Sequence, residues 1–242
     1  MASSIKTIGN CGDIKAHVSN HNIKWPTFNH SDMRNIIRDT YFNYYKTDPV
    51  HSIRHCDDVF NNMIAINSTN GYLIPYHIIC IAAYTHDMFS GKDRENHHKL
   101  ASDYILHCND VILSRLNKTD RKRIAKMVLN HRASTKIRKN TSTDIVCIRI
   151  ADKGYPNLEA IIRRASTDSS IDPEKFLIHI KEKYGDNGYA YVNDPLWTEY
   201  YKDDVEKCKS QVETLTVDNL KESLEYYKLY PYHRNNKKED KQ

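Results

Sequence analysis

The chain of 242 residues is short of the features that mark special classes of protein. No apolar run approaches the ~20 residues needed to span a bilayer; the longest extends only from Ile78 to Tyr84. The start, Met1-Ala2-Ser3-Ser4-Ile5-Lys6, has no apolar signal-peptide core. The six cysteines (Cys11, Cys56, Cys80, Cys108, Cys147, Cys208) show no Cys-x-x-Cys spacing. Most fall within helix-like apolar patterns, as reduced thiols packed like small hydrophobes do. These absences predict a cytoplasmic protein with no membrane partner. There is no strand-like alternation either, and no heptad or internal repeat, which leaves an all-α class.

Charge of one sign is also scarce overall, at a formal +5. That is too little to imply nucleic acid by itself. From Lys118 to Lys139, however, nine Lys or Arg stand against one acid, Asp120, so the rest of the chain is net acidic. The stripe can attract a phosphorylated ligand or form a solvated helix face. It lacks the interleaved aromatics that stack on bases, so nucleic acid is not the favoured partner.

Helical periodicity is what the chain has instead. Three Asp-Pro pairs, Asp48-Pro49, Asp172-Pro173 and Asp194-Pro195, read as N-cap followed by a first helical proline. Expected helices run from Asp32 to Lys46, Pro49 to Asn67, Pro75 to Asp87, Arg94 to Cys108, Thr119 or Asp120 to His131, Asp144 to Asp152 and Leu158 to Ala165. Others start at Pro173, Pro195 and about Asp218. Pro75 to Asp87 is apolar on nearly all sides and reads as the central helix. The expectation is one compact helical bundle of about eight to ten helices over residues 31–231. It follows an N-terminal extension, 1–30, and precedes a charged tail, 232–242, too poor in apolar residues to pack.

Imidazoles and carboxylates punctuate these helices: His51 and His55, His86-Asp87, Glu95 with His97 and His98, His131, and Asp152. Adjacent His and Asp offer a divalent cation one nitrogen and one oxygen. Such mixed donors suit zinc, manganese, iron or magnesium, which acidify water toward a neutral-pH nucleophile. His55, His86, Asp87 and Asp152 come from three helices, two of them strongly apolar just before the ligand, so the site would rest on buried supports. A shared cation would give each buried group a partner it otherwise lacks.

His51, one turn before His55, is placed to donate a proton beside a metal-binding imidazole. Glu95 is a further catalytic candidate, and at three residues' separation it can share a helix face with His98. A first-turn Glu also simply suits the helix dipole. His131 is either another metal ligand or an ordinary helix-terminal histidine. His97 and His98 are candidates for a second metal or for phosphate contact. Lys92 and Lys153, just beyond ligand positions, can neutralise a substrate phosphate or stand as plain surface lysines.

This order of an early His, a central His-Asp and a late Asp resembles the HD superfamily of metal-dependent phosphohydrolases. The segment Pro49-Val50-His51-Ser52-Ile53-Arg54-His55-Cys56-Asp57-Asp58-Val59 is similar to a metal motif of class I cyclic-nucleotide phosphodiesterases. So are Thr85-His86-Asp87, Glu95-Asn96-His97-His98, Ala151-Asp152 with Pro156, and Asp194-Pro195-Leu196-Trp197. The match over residues 40–205 is closer to the small HD phosphohydrolases of bacteria and phages. The resemblance implies that His55, His86, Asp87 and Asp152 hold the first metal, that Asp87 bridges to a second, and that His51 is the general acid.

The expected activity is therefore hydrolysis of a nucleotide-type phosphoester, with one or two divalent ions as cofactor. A cyclic-nucleotide-like phosphodiester is the first choice of substrate and a (deoxy)nucleoside tri- or monophosphate the second. The non-enzymatic alternative is an HD fold kept as a nucleotide sensor or partner-binding module. Homo-oligomerisation stays open.

Overall fold

The computed structural model describes residues 29–46, 51–138 and 140–230, and among them the chain is all-α, with no strand. A first compact unit, ending at Gly154, contains α1 (His30–Tyr41), α2 (Ile53–Thr69), α3 (Tyr76–Thr85), α4 (His97–His107), α5 (Lys118–Leu129) and α6 (Thr143–Lys153). A second unit, from Tyr155, contains α7 (Leu158–Ala165), α8 (Pro173–Tyr184), α9 (Tyr189–Val192), α10 (Pro195–Tyr200), α11 (Lys202–Glu213) and α12 (Val217–Leu229). The pair Asp48-Pro49, Lys139, Cys11, nearly all of the expected N-terminal extension and the expected charged tail lie outside the described residues. No helix among the described residues is long and apolar enough to cross a membrane.

The centre of the first unit is α3, as its apolar circumference predicts. Every residue from Ile78 to Thr85 is buried, and α3 packs against α1, α2 and α5. Pairs α2·α6, α4·α5 and α5·α6 complete the packing, so the ends of α2, α3, α5 and α6 are drawn toward one region. Burial also keeps the thiols of Cys56, Cys80, Cys147 and Cys208 above their usual pKa. With Cys108 they are free and buried, as small hydrophobes.

Local chemistry explains where the helices begin. Asn117 Oδ1 accepts from Asp120 N at 2.8 Å while Asn117 Nδ2 donates to Asp120 Oδ2, so α5 starts earlier than Thr119. Asp172 accepts from Glu174 N and Lys175 N at the head of α8, and Asp194 from Trp197 N at the head of α10.

Other boundaries move. Ser52 is extended (φ −77°, ψ 168°), so α2 begins at Ile53 and His51 stands before the helix rather than on its face. Asp93 Oδ1 accepts from Glu95 N (3.1 Å) and Asn96 N (3.0 Å), an Asx turn that holds residues 93–96 out of helix until His97. Glu95 therefore shares no helix face with His98. The helix expected from Pro195 breaks at Tyr201 into α10 and α11.

In the second unit Trp197 is only 1% exposed and stacks on Tyr191 with ring centroids 5.7 Å apart. The Pro-Leu-Trp of the sequence thus puts its indole into the core of that unit.

One charged knot ties α1, α2 and α3 together. Asp57 of α2 accepts from Arg34 (3.1 Å), from Arg38 (3.0 Å) and from the Tyr84 hydroxyl (2.5 Å). Burial pushes the Asp57 carboxyl up, but Arg38, Tyr84 and Arg34 outweigh it and hold the group below its ordinary value. Its stabilising contribution is present above the ordinary carboxylate range and is lost as pH falls through and below it. Asp57→Ala leaves three donors without their acceptor and is expected to cost about 2 kcal/mol, discounted for partial exposure. Urea unfolding at neutral pH measures that loss, and the wild-type advantage should shrink on acidification.

Candidate metal centre

The first unit brings six distant side chains into contact. His55 is in the first turn of α2, His86 and Asp87 directly follow α3, and Asp152 is the penultimate residue of α6. His55 Nε2 lies 3.0 Å from Asp152 Oδ1, 3.3 Å from His86 Nε2 and 3.7 Å from Asp87 Oδ2. His86 Nε2 lies 3.3 Å from Asp87 Oδ2 and 3.5 Å from Asp152 Oδ1. These four residues can hold one metal ion.

Asp87 faces a second group with its other oxygen. Oδ1 is 2.9 Å from His97 Nε2 and 3.2 Å from His131 Nε2, and those two nitrogens are 3.2 Å apart. His97 opens α4 and His131 stands two residues beyond α5. Asp87, His97 and His131, all buried, form a second set able to hold an ion. One carboxylate therefore belongs to both clusters, an oxygen to each.

The donor set fits a metal for a reason visible in the hydrogen bonds. His86 Nδ1 is 2.8 Å from Ala83 O, His97 Nδ1 2.8 Å from Arg94 O, and His131 Nδ1 2.7 Å from Val128 O. A carbonyl can only accept, so each Nδ1 carries a proton. In the neutral rings each Nε2 then presents a lone pair, and these lone pairs converge on carboxylate oxygens that are themselves acceptors. Acceptors at such separation repel unless a cation lies among them. The backbone carbonyl behind a ligating imidazole is also the usual second support of a metal-bound histidine.

A proton is the smallest such cation. In the metal-free protein burial pushes the His86 imidazole down, but Asp87 and Asp152 outweigh it and lift the group to about 10. Burial likewise pushes both carboxyls up. His86, His131 and His97 nevertheless hold Asp87 well below the carboxylate range, and His55 and His86 do the same for Asp152. Asp152 keeps 18% of its side chain exposed, against 0% for His86, so the first cluster is reached from the Asp152 side.

The remaining residues singled out in the sequence lie at varied distances from this centre. His51 is buried, its ring 6.1 Å from that of His55, and the Arg94 guanidinium contacts its ring nitrogens. His98 lies beside the second cluster, 5.6 Å from the His97 ring. Burial, followed by Arg132 and the neighbouring imidazoles, pushes His98 down to about 4. Glu95 and Lys92 are exposed in the loop before α4, outside both clusters. Lys153 ends α6 next to Asp152 and is half-buried.

Three arginines of the basic stripe are used internally. Arg121 donates to the carbonyls of Leu113 and Cys108, Arg123 pairs with Asp144 at 2.6 Å, and Arg132 donates to Glu95 O. Lys118, Lys122, Lys126, Lys136 and Arg138 remain exposed.

No family model, curated protein or solved structure matches the chain. The helical fold and the buried His/Asp cluster are compatible with an HD-like fold.

The cluster should signal metal binding through its proton. Near neutral pH an ion entering the first cluster must displace the proton held on His86, so about one proton should be released per ion bound there. Calorimetry in buffers of different ionisation enthalpy measures it, and zero release would contradict this description. Stability of the metal-free protein follows the same groups. The His86 contribution is complete below the ordinary histidine value of ~6.5 and fades as pH rises toward about 10. The Asp87 and Asp152 contributions fade as pH falls through the carboxylate range and below. Thermal unfolding of chelator-treated protein should therefore peak between those limits.

Proposed function

We propose that the protein is a metal-dependent phosphohydrolase acting on a nucleotide-type phosphoester, with a cyclic-nucleotide-like phosphodiester as the leading substrate. The observation that carries this reading is the pair of clusters able to hold an ion that share Asp87, with three further residues on one side and two on the other. His55, His86, Asp87 and Asp152 would hold one ion, and Asp87, His97 and His131 the other. When bound, divalent ions at adjacent sites supply Lewis acidity toward phosphoryl oxygens and acidify water.

The residues around the clusters support the rest of the chemistry. Displacement at phosphorus leaves negative charge on the departing oxygen, which a nearby proton donor relieves. His51, buried 6.1 Å ring to ring from His55, is the group assigned to that task. The Arg94 guanidinium against His51 and the neighbouring Lys153 bring positive charge suited to a phosphate. Lys92 and His98 are also assigned to substrate binding. Glu95 is retained as a candidate proton carrier, in an exposed turn outside both clusters.

Three measurements test the reading. A panel of cyclic nucleotides, cyclic dinucleotides, (d)NTPs and (d)NMPs with manganese, zinc and magnesium should reveal one hydrolysed class, abolished by chelation. Asp87→Ala should lower that rate by about 1000-fold, the equivalent of about 4 kcal/mol of transition-state stabilisation. An unchanged rate would sink the assignment. His51→Ala should cost roughly 100-fold or more on a substrate with an alkoxide leaving group. It should cost far less on a nitrophenyl phosphoester, whose leaving group needs no proton. Equal losses on both would remove His51 from the role of acid.

A further inference from the structure

Arg149 is an arginine with 0% exposure in the middle of α6, three residues before Asp152. Its Nη1 donates to Asn130 O at 3.1 Å and to Arg132 O at 2.6 Å, the carbonyls on either side of His131. Arg132 in turn donates from its own Nη1 to Glu95 O at 2.5 Å. The next residue back, Arg94, supplies the carbonyl that takes the proton of His97 Nδ1. A continuous path thus runs from α6 to His131, and from there to the turn that orients His97.

The second cluster needs such a path more than the first. Of the first cluster, His55 and Asp152 lie inside α2 and α6, and the His86 amide, just past α3, still donates to Ala82 O at 3.1 Å. His97 and His131 lie at or beyond helix margins, where carbonyls and amides have no helical partner and are commonly left to water. A buried cation is costly to place and must be hydrogen-bonded. Spending one on two neutral carbonyls flanking a single histidine fixes where that imidazole points.

We propose that Arg149 and Arg132 are positioning residues that clamp backbone carbonyls to set His131 and His97 against Asp87, and so govern occupancy of the second metal site separately from the first. This rests on the reading of Asp87, His97 and His131 as a metal site.

The test is metal stoichiometry and affinity, independent of turnover. Chelator-treated full-length protein is titrated with manganese or zinc, and bound ion is counted after dialysis by elemental analysis. Wild type should take up two ions per chain. Arg132→Ala, at a half-exposed position, should weaken the second ion by roughly 10- to 100-fold and leave the first unchanged. Arg149→Met should do the same or more, and Arg149→Lys should recover part of the affinity. If Arg149→Met fails to fold by circular dichroism, Arg132→Ala decides alone.

Two ions of undiminished affinity in folded Arg132→Ala would overturn the proposal, as would equal weakening of both. A single wild-type ion that survives His97→Ala would overturn it too, by leaving the second cluster empty. A wild-type chain that binds no ion defeats the metal centre itself, an outcome distinct from failure of the clamp.

Discussion

A single carboxylate is asked to face two sets of imidazoles. Asp87 turns Oδ2 toward His86 and His55 and Oδ1 toward His97 and His131, and the arrangement works only if positive charge sits on both sides. Everything nearby is built to keep that carboxylate where it is. It directly follows the most buried helix, and the Tyr45 hydroxyl donates to Tyr84 O three residues before it at 3.0 Å. A buried charge of this kind is tolerated only with partners, and beside the adjacent His86 they arrive from three other helices or their ends, α2, α4 and α5.

The same local device orients three of the four imidazoles in the two clusters. In His86, His97 and His131 the Nδ1 proton goes to the carbonyl three residues earlier, which turns Nε2 inward. Repetition at three unrelated helix margins is hard to reconcile with ordinary core histidines, each of which would need a separate acceptor for the inward nitrogen. Here the inward nitrogens meet one another and two carboxylates. A proton on His86 answers the need in the metal-free protein, and an ion answers it more completely because it accepts several lone pairs at once.

The all-α class, the central helix and the four residues of the first cluster could all be read from the amino-acid order. His86-Asp87 follows an apolar run, and Asp152 ends another that only Arg149 interrupts, so the burial of both supports follows from periodicity. The second cluster was harder to read. Whether His97 or His98 points inward depends on the residue at which α4 starts, and the Asp93 Asx turn sets that start. Glu95 looked like a helix-face partner of His98 only because that turn is invisible to periodicity. A histidine at a helix margin whose Nδ1 bonds the carbonyl three residues back is what His97, at the start of α4, and His131, past the end of α5, have in common. Asp57 had a different fate: read as part of a metal-type motif, it serves as the acceptor that joins α1 and α3 to α2.

Charge behaved likewise. The stripe from Lys118 to Lys139 is basic on paper, yet Arg121, Arg123 and Arg132 are largely spent on internal carbonyls and on Asp144. Composition counts charges but not what they touch. By itself the order of residues determined the helical class and the kinds of ligand on offer, because hydrophobic period and donor chemistry are local properties. Which oxygen of Asp87 meets which imidazole, which of two adjacent histidines turns inward, and that a buried arginine braces His131 were decided by tertiary packing. Each depends on helix phase and on contacts between residues 10 to 44 apart in the chain.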